Sequence, residues 1–244
     1  MTNALEIRNL VKTFGGLTAT DDLSFDIKEG QSVGIIGPNG AGKTTVFSQI
    51  MGELKQTSGQ ISLFGKELGN LPTAERIRLG VSRTYQIPRP FMDLSVLENI
   101  RVGLMPNSIW RMLIEGPNQD RETQLAFDVG FVEDDLEKPA SDLSMGDLRK
   151  LELARTIATG AKVLLLDEVF AGLTTGEIAQ ISTLVQNLHA KGFTLLMVSH
   201  DLPALEPLVD YVIALERGRM ITAGTFNEVI NDDTVRASYL GQEQ

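Results

Sequence analysis

Apolar and polar residues alternate in three short segments near the start of the chain: Leu5-Glu6-Ile7-Arg8-Asn9-Leu10, Leu23-Ser24-Phe25-Asp26-Ile27 and Gly59-Gln60-Ile61-Ser62-Leu63-Phe64. A period of two predicts half-buried strands, with Lys28-Glu29-Gly30 and Gly65-Lys66 as turns that end them. Gln31 to Ile36 closes on an apolar run that reads as a buried strand, and Thr45 to Ile50 reads as a helix. From about Ile87 to Gly160 the texture becomes helical, with Leu94, Val96, Leu97 and Ile100 at helical spacing around Ser95. A stretch broken by proline and glycine, Pro106 to Pro117, interrupts it. Beyond Ala161 the runs Val163 to Leu166 and Thr194 to Val198 are continuously apolar, as strands of a parallel sheet covered on both faces must be. Between them, Thr175 to Ala190 sets Ile178, Ile181, Leu184, Val185 and Leu188 on one side of a helix. Tyr211 to Leu215 and Met220 to Ala223, joined by Glu216-Arg217-Gly218-Arg219, read as a hairpin. No internal repeat or low-complexity segment is evident.

This pattern predicts an α/β fold in one domain, 1–244. Its core comprises 1–86 and 161–244, with a mostly parallel sheet and an N-terminal antiparallel β region, and 87–160 forms an inserted α-helical subdomain. Composition changes the picture little. The chain has 244 residues, 42% of them hydrophobic, which is enough for a sizeable core. A formal charge of -10 argues against broad nucleic-acid binding, which needs clustered Lys and Arg. There is no cysteine, so disulfide and thiolate chemistry are excluded. The start, Met1-Thr2-Asn3-Ala4-Leu5-Glu6, lacks the basic and apolar blocks of a signal peptide, and the apolar runs are too short to span a bilayer. Any membrane role is therefore expected to come through a partner.

Candidate chemistry begins at Gly37-Pro38-Asn39-Gly40-Ala41-Gly42-Lys43-Thr44-Thr45, which fits the phosphate-loop pattern G-x-x-x-x-G-K-[ST] at every fixed position. It lies between a predicted strand and a predicted helix. Glycines let the backbone N–H groups converge on one anion at the positive end of the helix dipole. Lys43 supplies a charge toward the β- and γ-phosphates, and the Thr44 hydroxyl is a ligand for Mg²⁺. The second motif is Leu164-Leu165-Leu166-Asp167-Glu168. A carboxylate at the C-terminal end of a buried strand beside a phosphate loop suits the metal, and this is assigned to Asp167. Glu168 points the other way, toward an attacking water, as the general base. Read alone, the pair is also an ordinary strand end with two solvated acids.

Leu143-Ser144-Met145-Gly146-Asp147-Leu148-Arg149-Lys150 brings in a family. It resembles the signature peptide of ABC-transporter ATPases, Leu-Ser-Gly-Gly-Gln followed by a basic helix, with Met145 in place of glycine and Asp147 in place of glutamine. Ser144-x-x-Asp147 is also a helix capping box. Both readings hold together if the Asp147 carboxylate turns back onto its own helix, as expected here. The resemblance implies that Ser144 and Gly146 present donors to the γ-phosphate held by another subunit.

Further resemblances follow in order along the chain. Phe14 resembles the aromatic that stacks on adenine, though a core ring is the alternative. Gln86 resembles the glutamine that joins core to helical subdomain and senses Mg²⁺ and the water. His200, at a strand's C-terminal end, resembles the histidine that contacts the γ-phosphate. His189, at a helix end, reads instead as a capping or solvated residue. Ala171-Gly172-Leu173-Thr174 lies where the family has its dimer-contact loop, with Thr174 for an Asp or Asn, and Val169 stands where proline is usual.

Phe14-Gly15-Gly16-Leu17, Arg83-Thr84-Tyr85-Gln86, Ser95 to Ile100 and Leu151 to Arg155 are similar to the LivG-type ATPases of branched-chain amino acid uptake; relatives of that look handle urea or amides. The resemblance implies an ATPase using ATP and Mg²⁺, paired with a second ATPase subunit beneath integral membrane permease subunits. A periplasmic solute-binding protein serves them indirectly, nucleic acid has no part, and the location is the cytoplasmic face of the inner membrane, peripherally. Ile87-Pro88-Arg89-Pro90-Phe91-Met92 is the expected permease-facing segment, extended by Trp110, Met112 and Leu113 unless those pack inside the helical subdomain. A soluble single-cassette ATPase for cluster assembly or repair, and a regulatory ATP-binding subunit with weak hydrolysis, are the competing readings.

Overall fold

The computed structural model describes residues 2–105 and 119–240. Trp110, Met112, Leu113 and the proline- and glycine-broken stretch lie outside the described residues.

The first strands are longer than their alternation suggests. β1 (Asn3–Phe14) and β2 (Leu17–Lys28) each run twelve residues and pair antiparallel. Register shifts between Ile7 and Leu10, and again before Lys12 and Thr13, throw the alternation out of phase while pairing continues. Asn9 and Asp22 take positive φ at that irregularity. This is why the period-two signal stops at Leu10 although the strand does not. β4 (Ser58–Leu63) and the short β5 (Lys66–Glu67) complete a four-stranded antiparallel sheet in the order β2-β1-β4-β5.

The second sheet has six strands, ordered β10-β9-β3-β8-β7-β6. Its members are β3 (Ser32–Ile36), β6 (Val81–Arg83), β7 (Val163–Asp167), β8 (Thr194–Val198), β9 (Tyr211–Glu216) and β10 (Arg219–Gly224). All neighbours run parallel except the edge pair β9–β10. The continuous apolar runs are explained by their two faces. Val163, Leu165, Leu196 and Val198 pack with the antiparallel sheet and α1 (Lys43–Met51) in one core. Leu164, Leu166, Leu195 and Met197 face a second core, with Ile181, Leu184, Val185 and Leu188 of the long helix beyond β7.

Between β6 and β7 the described chain is helical: α3 (Val96–Leu104), α4 (Gln119–Asp128) and α5 (Met145–Ala158), with two short 3₁₀ turns before α5; α2 (Thr73–Leu79) precedes β6. Leu94 is outside α3, because Ser95 caps the helix in a reciprocal box with Glu98, at 2.8 Å and 3.3 Å. α6 (Thr175–Ala190) matches the predicted helix, and Thr174 caps it in the same way with Glu177. α7 (Leu202–Leu205), α8 (Phe226–Ile230) and α9 (Asp233–Leu240) complete the described chain.

Candidate active site

The phosphate-loop sequence turns between the buried strand β3 and α1, as the motif requires. Two of its glycines answer to close approaches. A Cβ on Gly37 would meet the Leu215 carbonyl oxygen at 2.1 Å, and one on Gly42, whose φ is 102°, would meet that of Ala19 at 2.4 Å. The β9–β10 turn, with Arg217 and Gly218 both at positive φ, presses on the loop from outside. Gly218 N–H donates to Ala41 O at 3.0 Å, and its carbonyl accepts from Asp21 N at 2.8 Å, tying the loop to β2. Lys43 is buried, and its Nζ donates to Gly37 O (2.6 Å) and Pro38 O (3.0 Å). Burial pulls its pKa below the ordinary lysine value, while Glu168 and Asp167 push back toward the charged form. Thr44, Asn39 and Gly40 are exposed at the loop's open side.

Asp167 ends β7, almost fully buried, and its Oδ2 accepts from Arg83 Nη2 at 2.6 Å. Desolvation raises its pKa, and the Arg83 guanidinium opposes that rise. Arg83 is itself buried; it also donates to Glu53 (2.7 Å) and Ser48 Oγ (3.0 Å) and stands 5.7 Å from the Phe47 ring. The sequence reading missed it. Its partners come from residues 30, 35 and 84 positions away, a separation that no local pattern reveals.

Glu168 follows with φ 49°, a left-handed conformation that is strained for a side chain larger than glycine. Its N–H donates to Val198 O at 2.8 Å, which fixes the turn. The carboxylate then meets both other polar residues singled out for this region: Gln86 Nε2 donates to Oε2 at 3.1 Å, and His200 Nδ1 lies 3.1 Å from Oε1. Residues 86, 168 and 200, distant in sequence, therefore share one carboxylate. His200 is well exposed, with a side chain 64% accessible.

The peptide 143–147 sits at the start of α5. Ser144 caps the helix through Asp147 N (3.1 Å), but the box is one-sided. The Asp147 carboxylate accepts from the Ser144 hydroxyl (2.9 Å) and pairs with Lys150 (3.0 Å), so it does turn back onto its own helix. Gly146 N–H donates to Glu177 Oε1 at 3.0 Å, and a Cβ at 146 would collide with that carboxylate at 2.6 Å. Glu177 Oε2 meanwhile accepts from Thr174 N (2.9 Å) and Thr174 Oγ1 (2.8 Å). One carboxylate thus joins the starts of α5 and α6. The sequence reading did not pick out the Thr174-x-x-Glu177 capping box, although its spacing is a signal; the reach to Gly146 leaves none.

Phe14 is 48% exposed at the end of β1, so the core-ring alternative fails; Lys12 Nζ stands 4.9 Å from its ring centre. His189, in the last turn of α6 with a side chain 30% accessible, sets its Nε2 2.9 Å from Gly30 O and 3.3 Å from Asp210, linking the end of the helix to the turn before β3.

A glycine-rich anion loop at a helix N-terminus, with two successive acids at the end of a neighbouring parallel strand, has the form of a P-loop nucleotide-hydrolysing cassette. The chain belongs to the ABC transporter family, whose model matches residues 20–171. It is 34% identical to the high-affinity branched-chain amino acid transport ATP-binding protein LivG of Salmonella typhimurium, over 98% of each chain. It is 31% identical to BraF of Pseudomonas aeruginosa, a protein of the same description, again over 98% of each. Among solved structures, a nucleotide-free ATP-binding cassette from an ABC transporter superposes with a TM-score of 0.88 at 29% identity, covering 99% of this chain and 100% of that one. The cbiO1 cassette of Clostridium perfringens, part of the transporter complex cbiONQ, gives 0.82 at 25% identity, covering 99% and 96%. The chain is thus an ATP-binding, ATP-hydrolysing cassette.

Proposed function

We propose that this chain energises a membrane importer for branched-chain or other hydrophobic amino acids or related small solutes, with Glu168 as the general base of its ATP hydrolysis. The observation that carries the catalytic part is the shared carboxylate. Glu168 accepts from Gln86 and lies beside His200, an arrangement that holds a base between a water-orienting amide and a side chain within reach of a γ-phosphate. Lys43 binds the β- and γ-phosphates, residues 37–45 cradle them with backbone N–H groups, and Phe14 stacks on the adenine. Thr44, Asp167 and Gln86 hold Mg²⁺. Their hydroxyl, carboxylate and amide oxygens are the hard donors that a magnesium ion takes. Most of its ligands come from phosphate and water. When bound, the ion neutralises charge on the phosphates.

Segments 1–86 and 161–244 form the nucleotide core in this reading, and 87–160 the helical subdomain. Ser144 and Gly146 complete the site of a second ATPase chain, which requires Glu177 to release the Gly146 N–H. The names of the LivG and BraF relatives support the cargo class. No helix among the described residues is long and apolar enough to cross a membrane. In this reading permease subunits supply the channel, a periplasmic binding protein delivers solute to them, and the chain docks peripherally on the cytoplasmic face. The docking surface is the segment after Gln86. Ile87, Phe91 and Met92 are exposed there, beside a cleft of about 260 Å³ lined by Arg83, Tyr85, Arg89, Val102 and Arg155 among others. Arg155 stacks 4.9 Å from the Phe91 ring, and Arg89 4.8 Å from that of Tyr85.

Arg89→Glu or Phe91→Asp should abolish solute uptake and co-purification with an integral membrane protein, while basal ATP hydrolysis by the isolated chain stays within about twofold. Loss of uptake and hydrolysis together would show that these residues serve packing, and a wild-type chain that brings down no membrane protein would oppose the importer reading.

A further inference from the structure

The first eight residues of α5, from Met145 to Glu152, grip the segment that carries Gln86. Arg149 is fully buried. Its Nη1 donates to Tyr85 O at 2.6 Å and its Nη2 to Gln86 O at 2.9 Å. Glu152, one turn on, pairs with Arg149 at 2.7 Å and accepts from Tyr85 N–H at 2.8 Å. Three main-chain polar groups around residue 86 are therefore held by two charged side chains of one helix. Farther along the same face, Arg155 Nη1 donates to Arg89 O at 2.6 Å. The main chain of segment 85–89 is accordingly anchored on α5, while the Tyr85 hydroxyl and the Gln86 amide reach away from it to Glu53 and Glu168.

A fully buried ion pair is a poor way to gain stability, because desolvation offsets its attraction. Burial does push the Glu152 carboxyl up, with Tyr85 N–H and Arg149 opposing. A pair that adds little to stability but fixes a neighbouring catalytic segment in one geometry is suited to positioning. The Gln86 side chain ends 3.1 Å from the Glu168 carboxylate, so a small slide of its backbone would break that contact.

We infer that Arg149 and Glu152 are positioning residues for hydrolysis, holding the backbone of residues 85–86 so that Gln86 reaches Glu168 and linking that reach to the orientation of α5. The assignment rests on the reading of Glu168 as base. It also gives a mechanical sense to the helix that begins at Ser144: a tilt of α5 moves the amide beside the base in the same chain.

The test is a double-mutant cycle on the full chain, with steady-state ATP hydrolysis over a range of ATP concentrations, resolved into kcat and KM, as the readout. Arg149→Gln should slow hydrolysis about tenfold with KM for ATP within about twofold, and Arg149→Lys should restore part of the rate. In a Gln86→Ala background, Arg149→Gln should cause no further loss, because it acts through Gln86. An equal loss in both backgrounds overturns the inference, since a merely structural pair would act independently of residue 86. So does a Gln86→Ala variant of unchanged rate. If Arg149→Gln does not fold, Glu152→Gln, which keeps an acceptor for Tyr85 N–H, runs the same cycle with the same two outcomes. A Glu168→Gln variant of normal activity would instead remove the reading beneath it, and is scored separately.

Discussion

Gly42 shows how tightly single residues are constrained here. Its φ of 102° and the Ala19 carbonyl 2.4 Å from any added Cβ leave no room for another side chain. Gly42→Ala should therefore destabilise the fold by about 1–3 kcal/mol, read as a lowered Tm, and weaken nucleotide binding through the displaced loop. The glycine positions were legible in the sequence because a phosphate loop is local: nine consecutive residues make the cradle. Glu168 was legible as the second acid at a strand end, and Gln86 and His200 through resemblance, but their meeting at one carboxylate was not, since three separate elements bring them together. Arg83 was not legible as a partner of Asp167. A buried guanidinium whose acceptors lie 30 to 84 residues away leaves no periodicity or spacing to read.

Whole helices and strands were read more reliably where burial is uniform. Strands β7 and β8 announced themselves as unbroken apolar runs because both faces are covered, and α6 by its single apolar stripe. β1 and β2 were read short, since bulges break the alternation while the ladder persists. The joint between α5 and α6 escaped the sequence because one side chain serves two helices. Glu177 caps α6 and at the same time accepts the Gly146 N–H of α5. The bonds from Thr174, first from its N–H and then from its hydroxyl, and that from Gly146 hold its pKa below the ordinary 4.5. A carboxylate with a lowered folded-state pKa contributes stability that is present above the unfolded value and disappears as pH falls through the folded one. The joint should therefore be intact at neutral pH and open only below about 4.5. NMR titration of the Gly146 amide checks this: a transition below that value is expected in the wild type and none in Glu177→Ala.

At the scale of the whole molecule, two sheets enclose α1 and the phosphate loop, and the helical segment between β6 and β7 carries a second set of donors at Ser144 and Gly146. In this structure those donors are engaged by the chain's own Asp147 and Glu177. The phosphate loop and the signature peptide are read as halves of different sites, each completed by another cassette. The charge of -10 suits such an arrangement: the chain needs one local cationic pocket for ATP and no broad basic face. The catalytic account, including the positioning role of Arg149 and Glu152, depends on Glu168 taking a proton from the attacking water. Single-turnover hydrolysis of ATP by Glu168→Gln tests that most directly. The account predicts ATP binding unchanged and hydrolysis slowed by about a hundredfold or more; hydrolysis at the wild-type rate would contradict it.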